Sequence, residues 1–167
     1  MMRVLTPMLG LLISGCATGV RLPAAQDAVL DPVAFFSGRS QGKGTLHQIF
    51  SSSKQVRVDS FGRKDGDGGL VLVQRIRQQG KAARNRTWTI RPAGPNRYTG
   101  TLTEAVGPVT VTVDGSRAAI GYAMKDGLQV HQQLALQADG RTILNLLTVT
   151  KWGVRVARLE ETIRRQP

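Results

Sequence analysis

Residues 109–124 read Val-Thr-Val-Thr-Val-Asp-Gly-Ser-Arg-Ala-Ala-Ile-Gly-Tyr-Ala-Met. Val109, Val111 and Val113 alternate with threonine, and Ile120, Tyr122 and Met124 alternate again beyond Asp114-Gly115. A period of two places successive side chains on opposite faces of a strand. Asp-Gly between two such runs is the strongest short hairpin signal, because both positions tolerate positive φ. The segment therefore reads as a hairpin with one apolar face.

The same grammar extends in both directions. Trp88 with Ile90, Tyr98 with Leu102, and Leu128, Val130, Leu134 and Leu136 each share a face, while Thr, Gln and Arg occupy the other. Val56 with Val58 and Leu70 with Leu72 follow the scheme. Turn residues recur at intervals of roughly 9 to 15 residues, the spacing of short strands joined by bends. They include Ser51-Ser52-Ser53, Asp65 to Gly69, Gly80, Gly94-Pro95-Asn96, Gly107-Pro108, Asp126-Gly127, Asp139-Gly140 and Trp152-Gly153. No window after Gly38 carries a 3.6-residue stripe, so long helices are not expected. About eight to ten antiparallel strands must hide their edges, and closure does so most completely. The expected fold is an all-β antiparallel meander barrel, with a two-sheet sandwich as the alternative. Ahead of it, Asp31 as N-cap and Pro32 at the first helical position start a short helix that Gly38 ends.

The chain has 167 residues, 41% of them hydrophobic, and carries 23 Lys and Arg against 11 Asp and Glu, a formal charge of +12. This is globular composition, enough for one domain and one core. One Cys and two His argue against a disulfide framework or a Cys-rich metal site.

That Cys is placed where it has a use. Met1-Met2-Arg3 begins positively, and Val4–Ile13 is an apolar run too short to span a bilayer. Leu12-Ile-Ser-Gly-Cys16 resembles the lipobox of bacterial lipoproteins. The resemblance implies a signal peptide over 1–15, cleavage before Cys16, and a diacylglycerol thioether plus an acyl chain on its amino group. Two such hydrophobic signals give stable anchoring where one is marginal. In that class Ala17 after the Cys favours the outer membrane, facing the periplasm. Residues 16–30 are then expected as the lipidated N-terminus and a flexible tether, and 31–167 as a single barrel domain.

Asp31-Pro-Val-Ala-Phe-Phe-Ser-Gly38, Gly42 and Gly44, Arg86-Thr-Trp88-Thr-Ile90 and Tyr98-Thr-Gly100-Thr101 resemble an uncharacterised family of bacterial lipoproteins, a domain of unknown function. Asn145, Lys151-Trp152-Gly153, Val156 and Leu159-Glu160-Glu161 also look like its ending. The likeness covers residues 31–165 and implies a lipocalin-like (calycin) barrel, but no reaction. The Gly-x-Trp that opens the first strand of true lipocalins is absent, with Gly38-Arg39-Ser40 in its place.

No catalytic constellation is legible. His47 and His131 fall on polar positions of strands, and no Gly-x-Ser-x-Gly, His-Glu-x-x-His or phosphate-cradling loop occurs. Asp65-Gly-Asp67-Gly-Gly69 has Ile76 where a calcium loop requires Glu. No catalytic residue, metal or cofactor is expected. Adjacent Glu160 and Glu161 point to opposite faces, so one faces inward and requires a partner. Lys151, Arg158 and Arg164 are the candidates, and an interior ion pair of Lys151, Glu160 and Arg164 is the expectation.

Two functions fit. In the first, the aromatic face turns inward and Trp88, Tyr98, Tyr122 and Met124 line a cavity for a small apolar or amphipathic ligand. In the second, the barrel is inert and its exterior contacts a partner protein or anionic lipid. Arginine supplies 17 of the 23 basic residues and is spread along the chain, which suits an anionic lipid surface. Two Trp and two Tyr offer no stacking platform for nucleic acid. The chain is expected to act as a monomer and not as an enzyme.

Overall fold

The computed structural model describes residues 21–167. The expected signal peptide and the lipidation site at Cys16 lie outside these residues.

Helix α1 (Pro32–Phe36) precedes ten strands: β1 (Gly38–Gln48), β2 (Lys54–Lys64), β3 (Leu70–Gln78), β4 (Arg84–Pro92), β5 (Arg97–Leu102), β6 (Val109–Asp114), β7 (Arg117–Ala123), β8 (Leu128–Leu136), β9 (Thr142–Lys151) and β10 (Val154–Arg165). Each strand pairs antiparallel with the next, and β10 returns to β1 to close the barrel. The closing register runs from Ser40 opposite Arg165 to Gln48 opposite Ala157. The barrel, not the sandwich, is the fold. Every turn expected from the sequence is a turn of the structure. Alternation also holds, so that Val109, Val111 and Val113 are buried and the threonines between them exposed.

Closure between β1 and β10 depends on glycine. A Cβ at Gly44 would collide with Glu160 O, and one at Gly42 with Glu161 Oε1. Without side chains there, β10 packs close across β1.

The helix closes one end. Asp31 Oδ1 accepts from Val33 N at 2.9 Å and Ala34 N at 3.0 Å, the cap read from the sequence. A helix this short has no stability of its own. It is held by its apolar side chains: Val33, Phe35 and Phe36 are buried with Leu70, Trp88, Ile90 and Ile163 in the main core. The rings of Phe35 and Phe36 meet edge-on at 5.0 Å. Gly62 lies directly against Phe36 O, where a Cβ could not fit.

The segment ahead of α1 is bound to the same end. Leu30 N donates to Gly115 O at 2.9 Å, and Ala25 N to Leu136 O at 2.8 Å. Leu30 itself is buried. Of the flexible tether expected over 16–30, the part inside the described residues is docked on the barrel wall, because its apolar side chains and backbone groups find partners there.

Candidate functional site

The stoppered end comprises the β2–β3, β4–β5, β6–β7 and β8–β9 turns with α1. At the other end the β1–β2, β3–β4, β5–β6, β7–β8 and β9–β10 turns ring a cavity of about 560 Å³. Its upper wall includes Ile49, Lys81, Met124 and Leu128 at those turns. Lower down, Val58, Ile76, Val130 and Leu147 make an oily sleeve. The residues on strands face inward because they share the parity of the apolar positions there, while Ile49 and Lys81 reach the mouth from turns.

The floor is polar. Arg86 and Glu161 line the cavity and also a smaller void of about 50 Å³ between the floor and α1. Arg86 Nε donates to Gln74 Oε1 at 2.7 Å, and Trp88 Nε1 donates to the same oxygen at 2.8 Å. Gln74 Nε2 in turn donates to Ser60 Oγ at 3.0 Å. The guanidinium lies 5.3 Å from the Trp88 ring centroid, within cation–π range. Trp88 meets Tyr122 edge-on at 5.6 Å.

Glu161 is 8% exposed and accepts from Asn145 Nδ2 at 2.8 Å. Burial raises its pKa above the ordinary carboxyl value, against the opposing pull of the Asn145 hydrogen bond and the Arg86 charge. Burial likewise raises Tyr122, with Arg86 opposing, and lowers Arg86. A guanidinium nevertheless keeps its proton in a protein. Asn145 Oδ1 and Gln132 Oε1 are buried with no hydrogen-bond partner among the described residues. A guanidinium, a carboxyl whose pKa burial raises and a free amide oxygen thus surround the bottom of an apolar sleeve. That arrangement can hold the polar group of a molecule whose remainder is oily.

The four expected cavity residues meet this site differently. Tyr122 and Met124 line the cavity, and Trp88 lines the void beneath it. Tyr98 does not join them. It stands on β5 opposite Pro92 and Val111, towards the stoppered end, where burial and the charge of Asp31 raise its pKa.

The interior ion pair is corrected. Glu160 faces outward, its side chain 55% exposed, and pairs with Arg158 at 2.9 Å. Lys151 lies over the Trp152 ring at 4.7 Å, and Arg164 is exposed near the end of β10. The inward carboxyl is Glu161, in phase with Leu159 and Ile163; its hydrogen-bond partner is Asn145, and the Arg86 charge on β4 acts on it from across the floor. Sequence reasoning missed Arg86, Gln74 and Asn145. Each is in phase with buried neighbours, namely Trp88 and Ile90, Leu72 and Ile76, and Ile143. A polar residue on the apolar phase was the available signal. His47 and His131 are both exposed on the outer face.

A family described as "Protein of unknown function (DUF3833)" matches residues 10–165. No curated protein matches the sequence. Among solved structures, an S-type phycobiliprotein lyase from Guillardia theta superposes with a TM-score of 0.64 at 9% identity, over 81% of this chain and 90% of that one. A protein of unknown function from the DUF3598 family of Nostoc punctiforme superposes with a TM-score of 0.61 at 14% identity, over 83% of this chain and 50% of that one. At such identities the likeness is one of fold: a lipocalin-like barrel.

Proposed function

We propose, from the premise that the chain belongs to the DUF3833 family of proteins of unknown function, that its barrel binds a small amphipathic ligand. The cavity of about 560 Å³ carries this reading. It lies within the roughly 300–1,000 Å³ range of small-molecule sites and pairs apolar walls with a few convergent polar groups. The ligand's polar group lies at the floor against Arg86, with Asn145 Oδ1 as a further acceptor. Its apolar part fills the sleeve towards the mouth. Binding into an apolar sleeve is driven by apolar area removed from water, while a part-buried guanidinium favours a polar group that answers it.

The fold of a phycobiliprotein lyase is compatible with a binding barrel. We read this chain as a binder and not an enzyme, because the floor residues hold and orient rather than supply a nucleophile beside a base. The lipobox at Leu12–Cys16 supports a second element of the proposal: export and acylation at Cys16, with the barrel held at the outer membrane facing the periplasm.

Titrating the purified protein with a fluorescent fatty-acid analogue tests the cavity. A saturable signal displaced by unlabelled fatty acid is expected. A signal that never saturates, or that nothing displaces, would leave the sleeve as packing space and favour the reading in which the barrel is inert. Mass spectrometry of membrane-extracted protein tests the anchor, through the mass added at Cys16.

A further inference from the structure

The open end carries side chains that the cavity does not use. Phe50 on the β1–β2 turn is fully exposed, and Trp152 on the β9–β10 turn is 87% exposed. Val106 and Val154 add exposed apolar groups on the same end. Phe50 and Trp152 stand at φ 57° and 49°, the left-handed region that bulky residues seldom adopt. The backbone strain accepted at these two turns lifts two aromatic rings into water. Their turns are neighbours, joined by Ile49 N donating to Val156 O at 3.1 Å.

Charge surrounds these tips. Lys54, Lys81, Lys125, Lys151 and Arg155 lie on or beside the same five turns, none of them buried. Among the described residues the carboxylates of this rim are Asp126 and Glu104, and Glu104 is paired with Arg84. The mouth is therefore an opening edged by aromatic tips and net positive charge.

We infer that this rim docks on the surface of a bilayer containing anionic phospholipid. The inference goes beyond ligand binding and does not depend on it. A protein interface wants a contiguous, packed apolar centre, whereas the apolar groups here are separate tips around a hole. A bilayer interface accepts separate tips. Trp settles at the headgroup level with its indole N–H wet, Phe adds apolar area beneath the headgroups, and each Lys or Arg near an anionic surface adds attraction. Lys151 lying over Trp152 keeps its charge beside the ring that inserts.

The test uses the full chain carrying Cys16→Ser, so that no acyl group holds it to lipid, with vesicles of phosphatidylethanolamine and phosphatidylglycerol bearing brominated acyl chains. Trp88, 7% exposed in the core, and Trp152 are the two tryptophans. In a Trp88→Phe background, docking quenches Trp152 emission and shifts it to the blue. With Trp152→Phe, the remaining Trp88 emission is unchanged. Phe50→Ser with Trp152→Ser lowers vesicle affinity at least tenfold in sedimentation while the fatty-acid probe still binds, so loss of docking is separable from loss of the cavity. Trp152 emission unmoved by the vesicles, or equal binding to purely zwitterionic vesicles, would overturn the inference.

Discussion

Asn145 Nδ2 donates to Glu161 Oε2 across 2.8 Å within the barrel, and Glu161 Oε1 lies over Gly42, where a side chain would displace it. Strand β10 thus supplies the carboxyl, β9 holds it, and a missing side chain on β1 makes its room.

Glu161→Gln should remove a pH dependence. Burial raises the folded pKa above the ordinary value of 4.5, so the folded chain holds this proton more tightly than the unfolded one. The group's contribution is full below the unfolded value and is lost as pH rises through the raised folded value. Near neutral pH the variant should therefore melt at or above the parent, by about 2–4 °C for each kcal/mol recovered. Below pH 4 the two should converge. Calorimetry across pH checks this, and a parent that gains on the variant as pH rises contradicts it.

Gly42→Ala and Gly44→Ala should differ. The first pushes on the far end of a flexible side chain, so about 1–2 kcal/mol is expected. The second pushes on Glu160 O and the Glu161 backbone, which can move only by separating β10 from β1. We expect it to cost more than 3 kcal/mol or to prevent folding. A double-mutant cycle of Gly42→Ala with Glu161→Ala should show a coupling above 0.5 kcal/mol, read from denaturant midpoints.

Arg86→Met should separate ligands by charge. A fatty-acid probe should lose at least tenfold in affinity, the worth of about 1.4 kcal/mol, while the matching long-chain alcohol changes little. Stability should also fall by about 1–3 kcal/mol, because Glu161 loses the favourable Arg86 charge and Gln74 one donor. Equal losses for acid and alcohol would mean that the effect is packing alone.

Leu147→Trp should block the sleeve without harming the fold. Leu147 lines the cavity, so added volume enters empty space instead of a packed core. Probe affinity should fall by a factor of ten or more with the melting temperature held or raised. Retained affinity would place the probe elsewhere on the molecule.

The strands were legible because burial in a closed sheet writes itself as a two-residue period. The bends were legible because Asp-Gly and Gly-Pro pairs have few other uses. The floor was not read, although its residues obeyed the same parity. Composition groups Arg86 with the outward arginines, yet its phase with Trp88 and Ile90 turns it inward. For Glu160 and Glu161 the neighbours Leu159 and Ile163 fixed the choice. What parity cannot supply is height along the barrel, and this separates Tyr98 from Tyr122 though both face inward. Height follows from register, which the β1–β10 closure sets between residues more than a hundred positions apart.

Helix α1 makes the molecule a vial and not a pipe. With one end corked, a ligand seated as proposed would have a single doorway, so its loading and unloading could not proceed in a through-flow. It would depart backwards, tail leading, past whatever stands at that doorway.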